Sequence, residues 1–455
     1  MGAGMRSPVA SGVGRDQSSV VRLSRPAGGG ALVANPGGQR WFVPMATALA
    51  RAGILRLYCT PIANVEGLRR VLARLPTRVR GPVMRELALR PLPDGLYDSQ
   101  VAMTATLSHL GLVALGRTVS SPWVIERALE VVQRRFDHAA APLSRPGDLA
   151  AIASTGSALA TLSEARRLGV PSLLDYPTAH HKLSERLLGE EARLTPRFAP
   201  TLQGWNLSRR MRDRLEREIE MSDRVLLNST FALRSFVDAG VPEEKLIVTP
   251  FGVDLDMFSP SEASEQADGE RRPFRVLFAG QITQRKGISY LLQAFEQAGL
   301  ADSELVFLGR PVGPARSLLK RPGVEIWPTV PINELASRFT ACDVFVLPSL
   351  IEGFPQTAAI AMACGLPVIL SENTSGHDVV DDGVNGYVLP IRDASAITER
   401  LRHLHADAGL RRAMGQAARE RVLSLTWEAY GRRIVDVVQP RASSGTPPEG
   451  LARIG

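Results

Sequence analysis

CDVFVLPSLIEGFPQTAAIAMACGLPVIL, residues 342–370, is the stretch that decides the fold. Val344 to Leu347 is a short, continuous apolar run, which is typical of a strand covered on both faces in a parallel sheet. A tight polar loop with Glu352 and Gly353 follows, and then a helix that opens near Pro355 and a second apolar strand. The stretch therefore predicts a strand, loop, helix and strand unit of an α/β protein.

The helix of this unit predicts an anion site. Proline at the start of a helix loses only an N–H that would lack a partner anyway. The free amides and the positive end of the helix dipole then face the loop that contains Glu352. The alternative is an ordinary strand, loop and helix unit with a chance glutamate, so other parts of the chain have to decide between the two interpretations.

The composition indicates a globular chain of two domains. At 455 residues the chain is too long for one hydrophobic core, and 44% hydrophobic with 22% charged residues is typical of a soluble globular protein. Cys59, Cys342 and Cys364 are far apart in apolar surroundings, which argues against a disulfide framework or a metal site. We therefore expect a cytoplasmic protein without a bound metal.

The two ends of the chain have the composition of disordered segments. Residues 1–29 and 441–455 are rich in glycine, serine, proline and arginine, and the first segment lacks the continuous apolar core of a secretion signal. No stretch reaches the roughly 18 apolar residues that a membrane span requires. We predict a disordered leader and a disordered tail.

A basic amphipathic helix is predicted between Arg69 and Arg90. Leucine and valine recur there at helical spacing opposite arginines, which contribute to the net charge of +8. Such a face can rest on anionic lipid, where each basic residue contributes about 1 kcal/mol, or it can simply face solvent. Nucleic acid is disfavoured because aromatic residues for base stacking are missing. A peripheral position at the inner membrane face is therefore one expectation.

An apolar run from Ala31 to Ala34 and the turn that contains Gly37 and Gly38 open the first domain. A strand, a glycine turn and a helix begin a doubly wound domain, and glycines also let a substrate approach the backbone closely. These glycines do not form the G-x-G-x-x-G fingerprint, so dinucleotide binding is not supported. Gly37 and Gly38 belong either to a substrate-facing loop or to a plain turn.

Two adjacent histidines, His180 and His181, follow the predicted strand from Val170 to Tyr176. Ligands of an open α/β sheet bind beyond the carboxyl ends of its strands, which is where these histidines and Lys182 are expected. An imidazole in that place can donate a hydrogen bond to a sugar hydroxyl or stabilise developing charge. Because adjacent side chains point in different directions, we expect one histidine to act in the site, and surface or structural histidines are the alternative.

A second doubly wound domain is predicted after residues 261–273, which have the composition of a linker. Its first strand leads into a turn with Gly280, Arg285 and Lys286. At such a corner arginine can bind a diphosphate as a fork and lysine as a point charge, although a solvated turn can contain the same residues. Strand and helix patterns then alternate, one strand ending at Gly309, so two parallel-sheet α/β domains facing a cleft are predicted.

Six segments carry a family resemblance: NSTF (228–231), GVPEEKLIVTPFGVDLDMF (240–258), FAGQITQRKG (278–287), CDVFVLPSLIEGF (342–354), AMACGLPVI (361–369) and DDGVNGYVLP (381–390). Together they resemble the retaining glycosyltransferases of family 4, which have the GT-B fold. The resemblance is strong over the linker and the second domain and weaker over the first domain. It is more specific than any single motif.

The resemblance implies the reaction and the division of labour between the domains. It implies transfer of a sugar from a nucleotide-sugar donor to a glycan or lipid-linked acceptor, with retention of configuration and without a metal or other cofactor. The second domain would hold the donor. The first would hold the acceptor, with Gly37 and Gly38 on the acceptor side.

The resemblance also implies roles for individual residues. Glu352 would contact hydroxyls of the donor sugar, and one of His180 and His181 would lie near that sugar, which makes these three the catalytic candidates. Lys286, Gly353 and Phe354 are the donor contacts that the resemblance implies, and Gly280, Arg285 and Gly309 are further donor-side candidates because of their places at strand ends. The expected boundaries are a leader (1–29), a first domain (30–260), a linker (261–273), a second domain (274–425), a terminal helix crossing back (426–440) and a tail (441–455).

Two positions depart from the family pattern. Ile360 stands where the family usually has a second glutamate that holds the ribose hydroxyls, and Gln281 stands where an arginine is common. An isoleucine offers no hydrogen bond, which would weaken ribose binding by about 1–3 kcal/mol unless another group replaces it. Arg285 is the expected substitute for the missing arginine.

Ile360 therefore keeps a second class of function open, a non-catalytic GT-B protein that binds a nucleotide or a partner. A nucleotide-sugar epimerase of the same architecture is disfavoured, because no set of acidic and basic groups is evident for proton abstraction from the sugar.

Overall fold

The computed structural model describes residues 29–37, 39–65, 95–119, 122–260 and 272–439, together with isolated positions between 66 and 94. The tail, most of the leader and most of the linker lie outside these residues, as does most of the basic segment between Arg69 and Arg90. Within the described residues, no helix is both long enough and apolar enough to cross a membrane.

The first domain contains a parallel sheet of seven strands in the described part of the chain, ordered β3-β2-β1-β4-β5-β6-β7. Its strands are β1 (Ala31–Ala34), β2 (Leu55–Thr60), β3 (Val101–Met103), β4 (Ala150–Ser154), β5 (Ser172–Asp175), β6 (Arg224–Leu227) and β7 (Leu246–Val248). The helices between them are α1 (Phe42–Arg51), α2 (Thr106–Thr118), α3 (Pro122–Ala140), α4 (Leu159–Leu168), α5 (His181–Leu194), α6 (Arg209–Met221) and α7 (Thr230–Val237).

The second domain contains a parallel sheet of six strands in the described residues, ordered β10-β9-β8-β11-β12-β13. The strands are β8 (Phe274–Ala279), β9 (Ser303–Leu308), β10 (Val324–Trp327), β11 (Val344–Leu347), β12 (Val368–Ser371) and β13 (Gly386–Leu389). The helices are α8 (Ile288–Ala298), α9 (Ala315–Leu318), α10 (Ile332–Thr340), α11 (Gln356–Ala363), α12 (Gly376–Val379), α13 (Ala394–Ala406), α14 (Ala408–Val422) and α15 (Trp427–Val438).

The central strands are buried on both faces, as their continuous apolar sequences predict. All four residues of β11 are fully buried, and so are the residues of β1. In each sheet the strand order reverses once, between β1 and β4 and between β8 and β11. The predicted fold class, two doubly wound parallel sheets, is confirmed. Ligands of such sheets bind at the carboxyl ends of the strands beside these reversals, which is where the site is built.

The last helix in the described part of the chain, α15, packs against α1 of the first domain. The ring of Tyr430 is buried and lies 5.8 Å from the ring of Phe251, centroid to centroid. A Cβ added to Gly431 would lie 2.5 Å from the Cβ of Ala48, so only glycine lets the two helices approach this closely. A backbone bridge between Val253 and Thr426 brings the end of the second domain alongside the chain that leaves the first.

A fully buried carboxylate, Glu218 on α6, caps the start of α4. It accepts hydrogen bonds from the backbone N–H groups of Gly156, Ala158 and Leu159 at 2.7, 2.9 and 3.2 Å. The guanidinium of Arg214 donates to it at 2.9 Å. The loop after β4 is therefore held by a charge inside the first domain, since the amides of a helix start attract anions.

Replacement of Glu218 by glutamine is expected to lower the free energy of unfolding by about 1–3 kcal/mol, because the amide leaves buried N–H donors and Arg214 with a weaker acceptor. Urea denaturation of the two proteins measures the difference. Glu220→Gln on the same helix is the matched control, since Glu220 is exposed and its substitution is expected to change stability by less than about 0.5 kcal/mol. Equal losses in both variants would contradict the buried cap.

Candidate active site

Three glycines bring the carboxyl ends of β8, β9 and β11 into contact. Gly280 has φ +136°, and a Cβ on Gly309, at φ +149°, would lie only 1.9 Å from the carbonyl oxygen of Gly280. Gly287 has φ +71°, and its Cβ would lie 2.0 Å from the carbonyl oxygen of Pro348. L side chains are unfavourable in this region of backbone space, so glycine is required for the turn and for the close approach.

The turn from Gln284 to Lys286 places two cations on one carboxylate. Glu352 Oε2 lies 3.0 Å from Lys286 Nζ and 2.9 Å from Arg285 Nη1. Arg285 also donates to the carbonyl of Ile351 at 3.0 Å, which fixes the guanidinium beside the loop. The side chains of Lys286, Glu352 and Arg285 are 11%, 19% and 23% exposed, so water screens their charges poorly.

The electrostatics of this cluster favour an additional anion. Burial acts to raise the pKa of Glu352, but the charges and hydrogen bonds of Arg285 and Lys286 outweigh it and lower that pKa to about 2. Burial lowers the pKa of Lys286, and Arg285 lowers it further while Glu352 opposes the change. Two cations and one ionised carboxylate leave one net positive charge. The three side chains are largely shielded from water and lie at the switch point of the second sheet, where its strand order reverses.

Acid is expected to destabilise the wild type more than its Glu352→Gln variant. The pKa of Glu352 is about 2 in the folded protein against an ordinary value of 4.5. A depressed folded pKa contributes stability above the ordinary value, and that contribution is lost as the pH falls through the window from 4.5 to about 2. Thermal unfolding midpoints across acid buffers measure it; parallel curves for the two proteins would contradict the pairing.

The loop that contains Glu352 touches the first domain. A Cβ on Gly353 would lie 2.3 Å from the carbonyl oxygen of Pro177 and 2.4 Å from Oδ1 of Asn228, so glycine is what allows the contact. Asn228 Nδ2 donates to the Pro177 carbonyl at 2.9 Å, whereas its buried Oδ1 has no hydrogen-bond partner among the described residues. The carboxyl ends of β5 and β6 therefore face the carboxyl end of β11 across a narrow cleft.

The acceptor side predicted at Gly37 lies at the carboxyl end of β1. Gly37 has φ +91°, and its N–H donates to Asn35 Oδ1 at 3.0 Å, whereas Gly38 lies outside the described residues. Nearby, Trp41 Nε1 donates to Asp175 Oδ2 at 3.0 Å, and burial raises the pKa of Asp175 to about 7 despite that hydrogen bond. The turn at Gly37 is thus followed by a polar contact to the end of β5.

An aromatic contact joins the two domains beside this turn. The ring of Trp41 stacks on that of Phe251 with centroids 4.9 Å apart. Phe251 meets Phe354 of the Glu352 loop edge to face at 6.1 Å. Phe354 is itself buried, so its side chain packs into the domain contact while its backbone remains part of the loop.

His180 and His181 are buried at the start of α5, and their described contacts lie within the first domain. His180 caps the helix, its Nδ1 accepting the N–H of Lys182 at 3.3 Å, and its ring meets Phe236 edge to face. His181 Nε2 lies 3.2 Å from Oε1 of Glu216 on α6. Among the described residues, these contacts do not join either histidine directly to Glu352, and a shared catalytic role of the three stays a prediction.

The pKa values of both histidines lie below that of an ordinary imidazole, which favours their neutral form. Burial and the neighbouring His181 lower the pKa of His180 to about 4, and burial also lowers the pKa of His181 although Glu216 opposes it. His180 Nε2 is buried and has no hydrogen-bond partner among the described residues. A neutral imidazole can donate or accept a hydrogen bond, but it supplies no positive charge to a leaving group.

Three potential metal ligands also lie close together in the described part of the chain: His180, His181 and Glu216. Their ligand atoms are all within 4.8 Å of one another. Lys182 Nζ lies 2.7 Å from Glu216 Oε1, so an ammonium already neutralises the carboxylate. The Nδ1 of His180 is engaged by a backbone N–H. The contacts are those of an ion pair and a helix cap, and a metal-free reaction stays a prediction.

Sequence reasoning missed the cleft residues Asn228, Trp41 and Asp175. Asn228 lies at a predicted helix start, so its sequence context indicates a cap. The side chain that caps α7 is that of Ser229, which accepts the N–H of Ala232. Trp41 and Asp175 are 134 positions apart in the chain, so no local pattern pairs them. Only the expectation that strand ends converge could have suggested Asp175.

Residues 261–421 match the model of the family described as glycosyl transferases group 1. The sequence is also 34% identical over 217 residues to a D-inositol 3-phosphate glycosyltransferase of Xylanimonas cellulosilytica. That match covers 44% of this chain and 52% of the relative. The chain spans about half the length of curated relatives such as this one. The family match falls on the second domain, which contains the cluster of Arg285, Lys286 and Glu352.

Solved structures resemble the whole fold. Sucrose-phosphate synthase (tll1590) from Thermosynechococcus elongatus matches 90% of this chain and 97% of its own, with a TM-score of 0.60 and 21% identity. Anabaena Alr3699/HepE, solved in complex with UDP, matches 90% of this chain and 99% of its own, with a TM-score of 0.59 and 13% identity. The two facing parallel sheets are therefore arranged as in GT-B glycosyltransferases, and at these identities the likeness concerns the fold.

Proposed function

We propose that this protein is a retaining glycosyltransferase that moves a sugar from a nucleotide-sugar donor to a glycan or lipid-linked acceptor without a metal. The observation that carries the proposal is the partly buried cluster of Arg285, Lys286 and Glu352 at the switch point of the second sheet. The family match over residues 261–421 supports it, because that segment contains all three residues.

The cations act on the leaving group. Negative charge develops on the diphosphate when the bond to the sugar breaks, and preorganised positive groups in a water-poor site stabilise that charge most. Lys286 is a point charge and Arg285 a planar fork, which together suit the several oxygens of a diphosphate. The free amides at the start of α11, which no side chain caps among the described residues, add further donors.

Glu352 has two tasks in this proposal. Without a donor it pairs with both cations and keeps the turn from Gln284 to Lys286 in place. When a diphosphate takes over the cations, the carboxylate is released to accept hydrogen bonds from hydroxyls of the donor sugar. The backbone of Gly353 and Phe354 lines the same loop and supplies the remaining contacts to the sugar.

The ribose contact needs a group other than residue 360. The side chain of Ile360 has no polar atom. It is partly buried and packs against the main hydrophobic core. Thr357 lies one turn earlier on α11, and its buried hydroxyl has no hydrogen-bond partner among the described residues. Residues three apart share a helix face, so Thr357 is our candidate for part of the missing contact.

Incubation of the purified protein with UDP-, GDP- and ADP-sugars tests the activity. Slow release of nucleoside diphosphate supports a transferase, isomerisation of the sugar indicates an epimerase, and binding without turnover indicates the non-catalytic alternative that Ile360 suggests. Inositol phosphates belong among the acceptors tested, because the Xylanimonas relative is described as acting on D-inositol 3-phosphate. NMR of the product's anomeric proton tests retention, and turnover in the presence of EDTA tests independence of metals.

The membrane surface is a separate proposal with its own test. It depends on the arginines between Arg69 and Arg90, most of which lie outside the described residues. Retention of the protein on anionic vesicles at low salt, and its release at high salt, would support it because surface attraction is screened by ions. Equal retention on neutral vesicles would contradict it.

A further inference from the structure

A fully buried carboxylate of the first domain, Glu191 on α5, has its main partners in the second domain. Its Oε1 accepts from Gln284 Nε2 at 2.7 Å, and both of its oxygens accept from the hydroxyl of Tyr290, at 3.0 and 3.1 Å. Arg392 Nε donates to its Oε2 at 2.8 Å. A buried charge is costly unless it is paired, so this carboxylate is satisfied when the two domains are in contact.

The partner that matters most for the site is Gln284, because it begins the turn that contains Arg285 and Lys286. Its Nε2 also donates to Ser289 Oγ at 2.6 Å, and its Oε1 accepts the N–H of Ser289 at 3.1 Å. The amide thus ties the cationic turn to the first turn of α8. Glu191 fixes the orientation of that amide from the opposite domain.

A second contact from the first domain holds the backbone of the same turn. The Thr283 hydroxyl donates to the carbonyl of Thr201 at 2.7 Å, and the N–H of Gln284 donates to the Thr201 hydroxyl at 2.8 Å. All of these groups are buried. One contact between two side chains and two contacts between a hydroxyl and a backbone group therefore cross the cleft and set the shape of the turn.

Arg392 completes the contact and occupies an unusual backbone conformation. Its φ is +65°, in the left-handed region that is unfavourable for residues with a side chain. Its guanidinium donates to Glu191 and also to Glu190 Oε2 at 3.0 Å and to the Leu187 carbonyl at 3.2 Å. Three contacts to α5 from one strained residue indicate that the domain contact itself holds Arg392 in place.

We propose that Glu191, held by Arg392, is a positioning residue: it orients Gln284 so that Arg285 and Lys286 are set for a diphosphate only when the domains are closed. The inference rests on the proposed function. Glu191 does not touch the donor; it acts through the turn. Coupling between two equilibria is reciprocal. If domain closure strengthens diphosphate binding through this contact, diphosphate binding favours domain closure by the same factor.

Two variants test this role. Glu191→Gln keeps the size of the side chain and loses its charge toward Arg392, and Arg392→Gly removes the ion pair while relieving the left-handed backbone. Glu164→Gln on α4 is the matched control, because Glu164 pairs only with Arg167 of its own helix among the described contacts. Small-angle scattering of each ligand-free protein measures closure, and calorimetric titration with UDP and GDP measures binding.

In both variants we expect a larger radius of gyration than in the wild type and a rise of about fivefold or more in the Kd of the nucleotide that the wild type binds. In turnover assays the KM for the nucleotide-sugar is expected to rise while the KM for the acceptor stays the same, a split that general damage to the fold would not produce. The control is expected to match the wild type in every readout.

The outcomes separate this inference from the proposed function. Nucleotide binding by the wild type, with unchanged Kd and scattering in both variants, overturns the positioning role and leaves the glycosyltransferase proposal intact. Failure of the wild type to bind any nucleotide overturns the proposed function and this role with it. If Glu191→Gln proves too unstable to purify, Arg392→Gly decides the question alone.

Discussion

Replacement of Lys286 by methionine is expected to lower the rate of sugar transfer by about a hundredfold or more, the usual effect of removing one charge-stabilising group from an active site. The ammonium lies 3.0 Å from Glu352 Oε2 in a pocket where its side chain is 11% exposed. Methionine fills the same volume without a charge, so developing charge on the diphosphate is left to Arg285. Steady-state kinetics with saturating acceptor measure the loss.

Lys286→Met is also expected to weaken the binding of free nucleoside diphosphate, since Lys286 acts on the ground-state anion as well as on the leaving group. Lys320→Met is the matched control, because Lys320 is an exposed lysine of the same domain. Its rate and nucleotide affinity are expected to equal those of the wild type. A rate for Lys286→Met within a factor of about three of the wild-type rate would contradict the role of the cation. Such a factor corresponds to less than half of the roughly 1.4 kcal/mol of activation free energy that a tenfold change in rate represents.

Replacement of Glu352 by alanine is expected to cost at least about tenfold in turnover, but for a different reason. The carboxylate holds both Arg285 and Lys286, and its loss leaves two partly buried cations without their anionic partner. The sugar hydroxyls lose their acceptor at the same time. Turnover therefore falls because the donor sugar is no longer oriented, not because the diphosphate lacks positive charge.

The two variants are expected to change nucleotide affinity in opposite directions. With its internal anion removed, Glu352→Ala should bind free nucleoside diphosphate as tightly as the wild type or more tightly, whereas Lys286→Met should bind it more weakly. Glu372→Ala removes an exposed carboxylate directly after β12 and is the control for loss of a nearby acid. Weaker nucleotide binding by Glu352→Ala would show that Glu352 is not the competitor of the phosphates.

The parts of the fold that sequence predicts best are those where local pattern and burial agree. The apolar run Val344–Leu347 has the predicted bounds of its strand, because the sheet covers both faces of this fully buried segment. The helix Trp427–Val438 likewise begins where Thr426 caps it, through a hydrogen bond to the N–H of Ala429.

Local sequence pattern does not predict other elements of the fold. In β2, Leu55–Thr60, the arginine at position 56 interrupts the apolar run, and it is tolerated because its guanidinium pairs with Asp148, 92 positions away. The strand β3, Val101–Met103, has only three residues, and it forms because β2 offers it an open edge. Tertiary partners, rather than propensity, decide both cases.

The donor side of the site could be anticipated, and the cleft contacts could not. Glycine turns and basic residues at strand ends mark Lys286 and Arg285 because strand ends of a parallel sheet converge. Glu191 has no such signal, since a glutamate in a polar helix is expected to face solvent. Its burial depends on the arrival of Arg392 and Gln284 from 201 and 93 positions away.

The cluster of Arg285, Lys286 and Glu352 is expected to bind a nucleoside diphosphate. Calorimetric titration of the wild type and of Lys286→Met with UDP, GDP and ADP tests it most directly. We expect at least one of these nucleotides to bind the wild type and to bind Lys286→Met at least about tenfold more weakly, a difference of 1.4 kcal/mol. Absence of binding to the wild type, or equal binding to both proteins, would contradict it.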